Sequence, residues 1–166
     1  MRAAEPRDEA AIRAVHISAF PTVGEADLVE ALGREGDAII SLVAERGGEI
    51  IGHVLLSRMA VSGDGRGYRA LGLAPLAVRP GARRKGVGSA LVRAALQRTA
   101  ETGEQLVFVL GDPAYYGRFG FSLADAAPFA SPYAGPHLMA LRLGSDLPLP
   151  RAGKADYAPA FAALDG

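Results

Sequence analysis

Leu71-Gly72-Leu73-Ala74-Pro75-Leu76-Ala77-Val78, followed by Arg79-Pro80-Gly81-Ala82-Arg83-Arg84-Lys85-Gly86-Val87-Gly88-Ser89, is the stretch on which the reading of the fold turns. Its first half is apolar at almost every position, which predicts a strand from Tyr68 to Val78 buried on both faces, as at the centre of a sheet. Pro75 interrupts it. A proline cannot donate to the ladder, so the strand must be bulged there, or splayed from one neighbour. The second half is a basic, glycine-rich loop, and from Ser89 to Thr102 the spacing of Ala90, Leu91, Ala94, Ala95 and Leu96 predicts an amphipathic helix closed by Gly103. Gln105 to Leu110 reads as a compact strand, parallel to the first because the helix supplies a right-handed crossover.

Upstream, a short strand at Met1 to Ala4 leads to Asp8, a candidate cap for a helix with Ile12, Val15, Ala19 and Phe20 at helical spacing. A turn at Pro21 to Gly24 opens a second helix that stops near Gly33 to Gly36. Ile39 to Glu45 and Ile50 to Val61 then form a hairpin about Arg46-Gly47-Gly48-Glu49, and Ser62 to Gly67 is the next loop. Downstream, Pro113 starts a short helix that runs into Phe121; a strand follows from about His137 to Leu143, and a last amphipathic stretch from Lys154 to Leu164. The expectation is a single α/β domain over residues 1–166, with a C-terminal extension at 144–166 and a mixed, mostly antiparallel sheet flanked by helices.

Composition narrows the chemistry. The chain has 166 residues, 49% hydrophobic, enough for one core, and no cysteine, which excludes disulfides and thiolate sites. No apolar run approaches the roughly 18 residues of a membrane span, and the charged start MRAAEPRDEAA is not a secretory signal. A cytoplasmic location is therefore expected. The net charge is zero, yet Gly65 to Ala100 holds 8 basic and no acidic residues, while both flanks are acidic. Arg79, Arg83, Arg84 and Lys85 lack the interleaved aromatics of a nucleic-acid surface, so a nucleic-acid partner is not expected. Arg83 to Ser89 instead puts backbone N–H groups, glycines and cations at a helix N-terminus after a central strand, a site for phosphate and best suited to a pyrophosphate. It is neither a Gly-Lys-Ser/Thr phosphate loop nor a dinucleotide fingerprint.

The pattern Arg83-x-x-Gly86-x-Gly88 after Leu76-Ala77-Val78-Arg79-Pro80, with Tyr116 four residues before Gly120-Phe121, resembles the GNAT superfamily of N-acetyltransferases. The run LGLAPLAV, the segment GDPAYYGRFGF and the Gly24-Glu25 helix start look most like its bacterial YhbS-like branch. The likeness covers most of the chain and implies a sheet splayed between its fourth and fifth strands, with acetyl-CoA in the wedge. Leu76, Ala77 and Val78 would line the pantetheine and thioester, and backbone amides from Arg84 through Lys85, Gly86, Val87 and Gly88 to Ser89 would hold the pyrophosphate. Arg83 and Lys85 would add long-range attraction, although in the family the side chain at the Arg83 position often faces away. Acetyl-CoA then serves as acyl donor to a primary amine that attacks the thioester directly in a ternary complex, with no metal required.

The resemblance assigns Tyr116 as the acid that protonates the departing thiolate, and leaves Tyr115 to packing. From Leu71 to Val78 no side chain titrates, so the base lies elsewhere: Glu25, directly or through water, ahead of His53 and Asp112, whose plainer readings are a strand histidine and a helix cap. His16 falls on an apolar face as a structural residue, and Glu25, Asp27 and Glu30 are either a solvated face or an attractor for a cationic amine. The alternative function is an acyl-CoA-binding regulatory module without transfer. A monomer and a homodimer are equally compatible with the sequence.

Overall fold

The structure is a computed structural model describing residues 1–144 and 146–164. Ser145, Asp165 and Gly166, at or near the ends of the expected extension, lie outside the described residues. Strand β1 (Arg2–Ala3) precedes helices α1 (Glu9–Ala19) and α2 (Gly24–Arg34). Strands β2 (Ala38–Arg46), β3 (Glu49–Gly63) and β4 (Arg66–Val78) follow, then α3 (Val87–Glu101) and β5 (Leu106–Leu110). The rest comprises α4 (Pro113–Tyr116), α5 (Leu123–Ala126), β6 (Phe129–Ala130), β7 (Leu138–Arg142) and β8 (Gly153–Asp156). The sheet runs β1-β2-β3-β4-β5-β7; β4 and β5 are parallel, and the other neighbours in this order are antiparallel.

Local chemistry sets the turns. Gly47 and Gly48, at φ +61° and +80°, close the β2–β3 hairpin with the positive dihedrals that a two-residue turn matched to strand twist requires. The expected loop at 62–67 is tighter than its sequence suggests: Gly63 still pairs with Arg66 around Asp64 and Gly65, so both strands run longer. Asp8 does not cap α1. Its carboxylate accepts the Glu5 amide at 2.8 Å and two Arg2 guanidinium bonds at 2.7 and 3.0 Å, which hold it down to about 2. The expected amphipathic stretch at Lys154 to Leu164 is also split: Lys154 to Asp156 belong to β8, which pairs with β3, and only Pro159–Leu164 is helical, as a 3₁₀ segment.

Pro75 acts as its missing donor demands. Across β3, Val54 faces Leu76 and Leu56 faces Leu73, so β4 carries one extra residue between them, a bulge centred on Ala74 and Pro75. On the other side, β4 pairs with β5 only from Ala70 to Gly72; beyond Gly72 and Phe108 the two strands share no further pairing, which is the expected splay. The α3 side of the sheet is sealed by Leu71, Leu73, Leu91, Val92, Ala95 and Val107, all buried. The opposite side is covered by α1, α2 and the 3₁₀ segment through Val15, Leu28, Leu32 and Phe161. Truncating the fully buried Leu91 to alanine is expected to cost about 2–5 kcal/mol in thermal unfolding, because a cavity would open where α3 meets the sheet. Among the described residues no helix is long and apolar enough to cross a membrane.

Candidate active site

The splay leaves a cleft of about 470 Å³ at the end of β4. Leu76, Ala77 and Val78 form one wall, Arg83, Arg84 and Gly86 to Ser89 another, and Tyr115 and Arg118 close the α4 side, while Ala19 and Phe20 of the α1 terminus complete it. The loop is shaped for an anion. Arg84, at φ +63°, adopts a left-handed conformation without being glycine, and Gly86 follows at +79°. Strain of this kind persists where the surroundings enforce it, commonly at ligand sites. The first helical bond of α3 is that from the Ala90 amide to the Gly86 carbonyl, 3.0 Å, so the amides of Val87, Gly88 and Ser89 have no partner within the helix. With three guanidinium groups and no carboxylate among the lining residues, the cleft focuses positive potential on those amides.

The structure brings together most of the predicted cofactor residues. Lys85 is exposed and lies outside the lining. Arg83 lines the cleft, yet its guanidinium donates to the Ala19 carbonyl at 3.1 Å, satisfying an orphan acceptor at the end of α1. Glu25 sits half-buried in the first turn of α2, also outside the lining. His53 is fully buried: its Nδ1 meets His16 Nε2 at 2.8 Å and its Nε2 meets the Ser41 hydroxyl at 2.8 Å. Burial lowers both histidines, His16 to about 4 and His53 to about 3, with His16 adding to the effect on His53. These are core groups, as the plainer reading of each expected. Asp112 caps α4, accepting the Ala114 amide at 2.9 Å.

Tyr115 and Tyr116 lie side by side in α4 with different surroundings. Tyr115 is more than packing: its hydroxyl is 3.2 Å from Ser89 Oγ, and its ring carries the Arg118 guanidinium at 4.8 Å. No sequence signal marked it, because its partners Ser89 and Gly88 meet it only through the fold. Tyr116 packs against Phe119 and Phe121 and stands over Gly111, where a Cβ would come within 2.6 Å of its ring. Burial, and then Tyr115, push its phenol up to about 12, so it is protonated at neutral pH.

A family model described as the acetyltransferase (GNAT) domain matches residues 1–124. The uncharacterized N-acetyltransferase YjhQ of Escherichia coli is 38% identical over 132 residues, spanning 78% of this chain and 73% of that protein. Its counterpart YhbS from the same organism is 39% identical over 120 residues, 72% and 71% of the two chains. A crystal structure of Escherichia coli YhbS in complex with CoA superposes with a TM-score of 0.86 at 33% identity, covering 97% of this chain and 90% of that one. A Brucella melitensis GNAT-family acetyltransferase in complex with acetyl-CoA gives 0.79 at 30% identity, over 96% of each. Fold, loop and relatives agree, and the chain belongs to the GNAT family of acetyltransferases.

Proposed function

We propose that the protein is an N-acetyltransferase that moves the acetyl group of acetyl-CoA to a primary amine by direct attack within a ternary complex. The observation that carries this reading is the cleft between the bulged end of β4 and the N-terminus of α3, where Gly86 to Ser89 and two loop arginines face the same space. The pyrophosphate binds the amides from Arg84 to Ser89, and the pantetheine runs beside Leu76, Ala77 and Val78, whose ladder partner on the β5 side is gone. Arg83 contributes through its backbone, its guanidinium being occupied by Ala19. Lys85, exposed, adds only long-range attraction.

Attack by a neutral amine on the thioester carbonyl forms a tetrahedral oxyanion; the C–S bond then breaks and CoA leaves as a thiolate. Tyr116 serves as the acid for that thiolate, supported by its burial and its protonated phenol. Glu25, at the positive end of α2 and open to solvent on one side, takes the amine proton directly or through water. The enclosure of His53 and the capping role of Asp112 support Glu25 over both.

Titration calorimetry with acetyl-CoA, CoA, NADH and a short DNA duplex tests the reading. Saturable micromolar binding of the two CoA compounds alone is expected, followed by thiol release with a panel of primary amines. Binding without release across that panel would favour a regulatory module. Gly88 approaches the Tyr115 hydroxyl so closely that a Cβ there would lie 3.2 Å from it. Gly88→Val is therefore expected to weaken acetyl-CoA binding in the same calorimetry by at least about a hundredfold, by crowding the cleft against Tyr115 and Val78 and filling the space the phosphates need.

A further inference from the structure

Among the described residues two side-chain hydroxyls are buried without a hydrogen-bond partner, both on residues that neighbour Gly72, and neither residue lines the cofactor cleft. One is Tyr157, just past β8: its ring is half-buried, its hydroxyl wholly so. The Cδ1–Cε1 edge of the ring lies against Gly72, where a Cβ would come within 2.5 Å of Cε1, so only glycine at 72 admits it. Tyr133 and Phe161 fix the ring, with centroids at 5.4 and 4.9 Å. The other hydroxyl belongs to Ser57, which is fully buried and is the β3 register partner of Gly72, so its side chain emerges on the same face.

Gly72 is also the last residue of β4 to pair with β5, so this polar pair sits where the two strands part. Around it lie Met59, Ala74 and Phe161, whose side chains offer no acceptor stronger than a thioether sulfur and bond neither hydroxyl. A buried hydroxyl without a partner costs stability, and two on residues flanking one glycine mark a place where something else supplies the bond. Tyr116 packs with the α3-side core, on the opposite face of the sheet, and is near enough that its ionisation would raise the Tyr157 phenol further.

We propose that the hydroxyls of Tyr157 and Ser57 donate hydrogen bonds to the thioester carbonyl oxygen of bound acetyl-CoA, from the face of the sheet that carries α2. This rests on the reading that the pantetheine runs along Leu76 to Val78; carried past Pro75, its thioester arrives beside Ala74 and Gly72. Two O–H donors suit a carbonyl oxygen, which offers two lone pairs and no proton. Free CoA has no such oxygen, and that difference supplies the test.

Calorimetry with CoA and with acetyl-CoA is run on the wild type, Tyr157→Phe and Ser57→Ala. Tyr157→Phe is expected to bind CoA as the wild type does and acetyl-CoA about five- to tenfold more weakly; Ser57→Ala is expected to shift the same ratio by about two- to fivefold. Both variants should melt at or above the wild-type temperature, since each removes an unpaired buried group. If Tyr157→Phe does not fold, Ser57→Ala decides alone. An unchanged acetyl-CoA to CoA ratio in the folded variants overturns the proposal and leaves the hydroxyls to an internal water. Wild-type protein that binds neither compound overturns the acetyl-CoA reading itself, and this proposal with it.

Discussion

Tyr116→Phe is expected to lower kcat by about a hundredfold while leaving the acetyl-CoA dissociation constant unchanged. The substitution removes one oxygen and keeps the ring that packs on Phe119 and Phe121, so fold and cleft persist. The expected loss sits at the lower end of general acid catalysis for a reason that can be weighed. A phenol near 12 giving its proton to a thiolate of ordinary basicity, near 8.5, is uphill by roughly 5 kcal/mol. On the proposed reading Tyr116 acts chiefly by donating a hydrogen bond to sulfur as the C–S bond breaks, the thiolate being a better leaving group than an alkoxide or an amide anion and taking its proton fully only as it reaches solvent. Steady-state thiol release with an accepted amine, beside calorimetry, reads both quantities. An unchanged kcat under conditions where the chemical step limits turnover would remove Tyr116 from the reaction.

Acid is expected to unfold the protein through its buried histidine pair. His16 and His53 stay neutral in the folded state, at about 4 and about 3, whereas in the unfolded chain each titrates near 6.5. Between those values the unfolded state binds the protons that the folded state refuses. Stability is full above about pH 6.5 and falls as the pH drops toward 3. By pH 4 the loss is on the order of 5 kcal/mol, comparable with the whole stability of an ordinary domain. Melting temperatures between pH 7 and pH 4 should fall steeply for the wild type and much less for the His16→Gln/His53→Gln double variant. An equal slope in the two would assign the loss to carboxylates. Asp8, held at about 2 by Arg2, contributes in a separate window: its stabilisation is present above about 3.8 and disappears only as the pH falls through 2.

What could be read in the sequence was the part written in local chemistry. Gly47-Gly48 names its own turn, the apolar run ending in Val78 names a central strand, and a proline inside that run announces a break in the ladder wherever the strand sits. Gly86 before an amphipathic run marks the loop that turns into α3 for the same reason. What escaped depends on residues distant in the chain. His16 and His53 are separated by 37 positions, and an apolar helical face gives no hint that its histidine meets another across a strand. Tyr115 is an aromatic among aromatics until Ser89 stands opposite its hydroxyl. Gly72 looks like a weak point in a strand, and only the returning C-terminal segment, with Tyr157 on top of it, gives the missing side chain a purpose. Asp8 illustrates competition: the capping rule favoured α1, but Arg2 and the Glu5 amide offered the carboxylate more bonds.

The bulge at Ala74 and Pro75 gives β4 two phases. Ahead of it the odd-numbered Leu71 and Leu73 face α3; after it the even-numbered Leu76 and Val78 do, while Ala77 turns toward α1. The strand thus counts its residues differently on either side of one point, and the α3 face keeps its large apolar side chains because the count is reset there. Were β4 to run through Ala74 and Pro75 in plain alternation, everything beyond would be rotated by half a turn, presenting Pro75 and Ala77 where Leu76 and Val78 now stand. The residue that resets the count is the one that needs no partner on β3, and Pro75, with no N–H to donate, stands in that place.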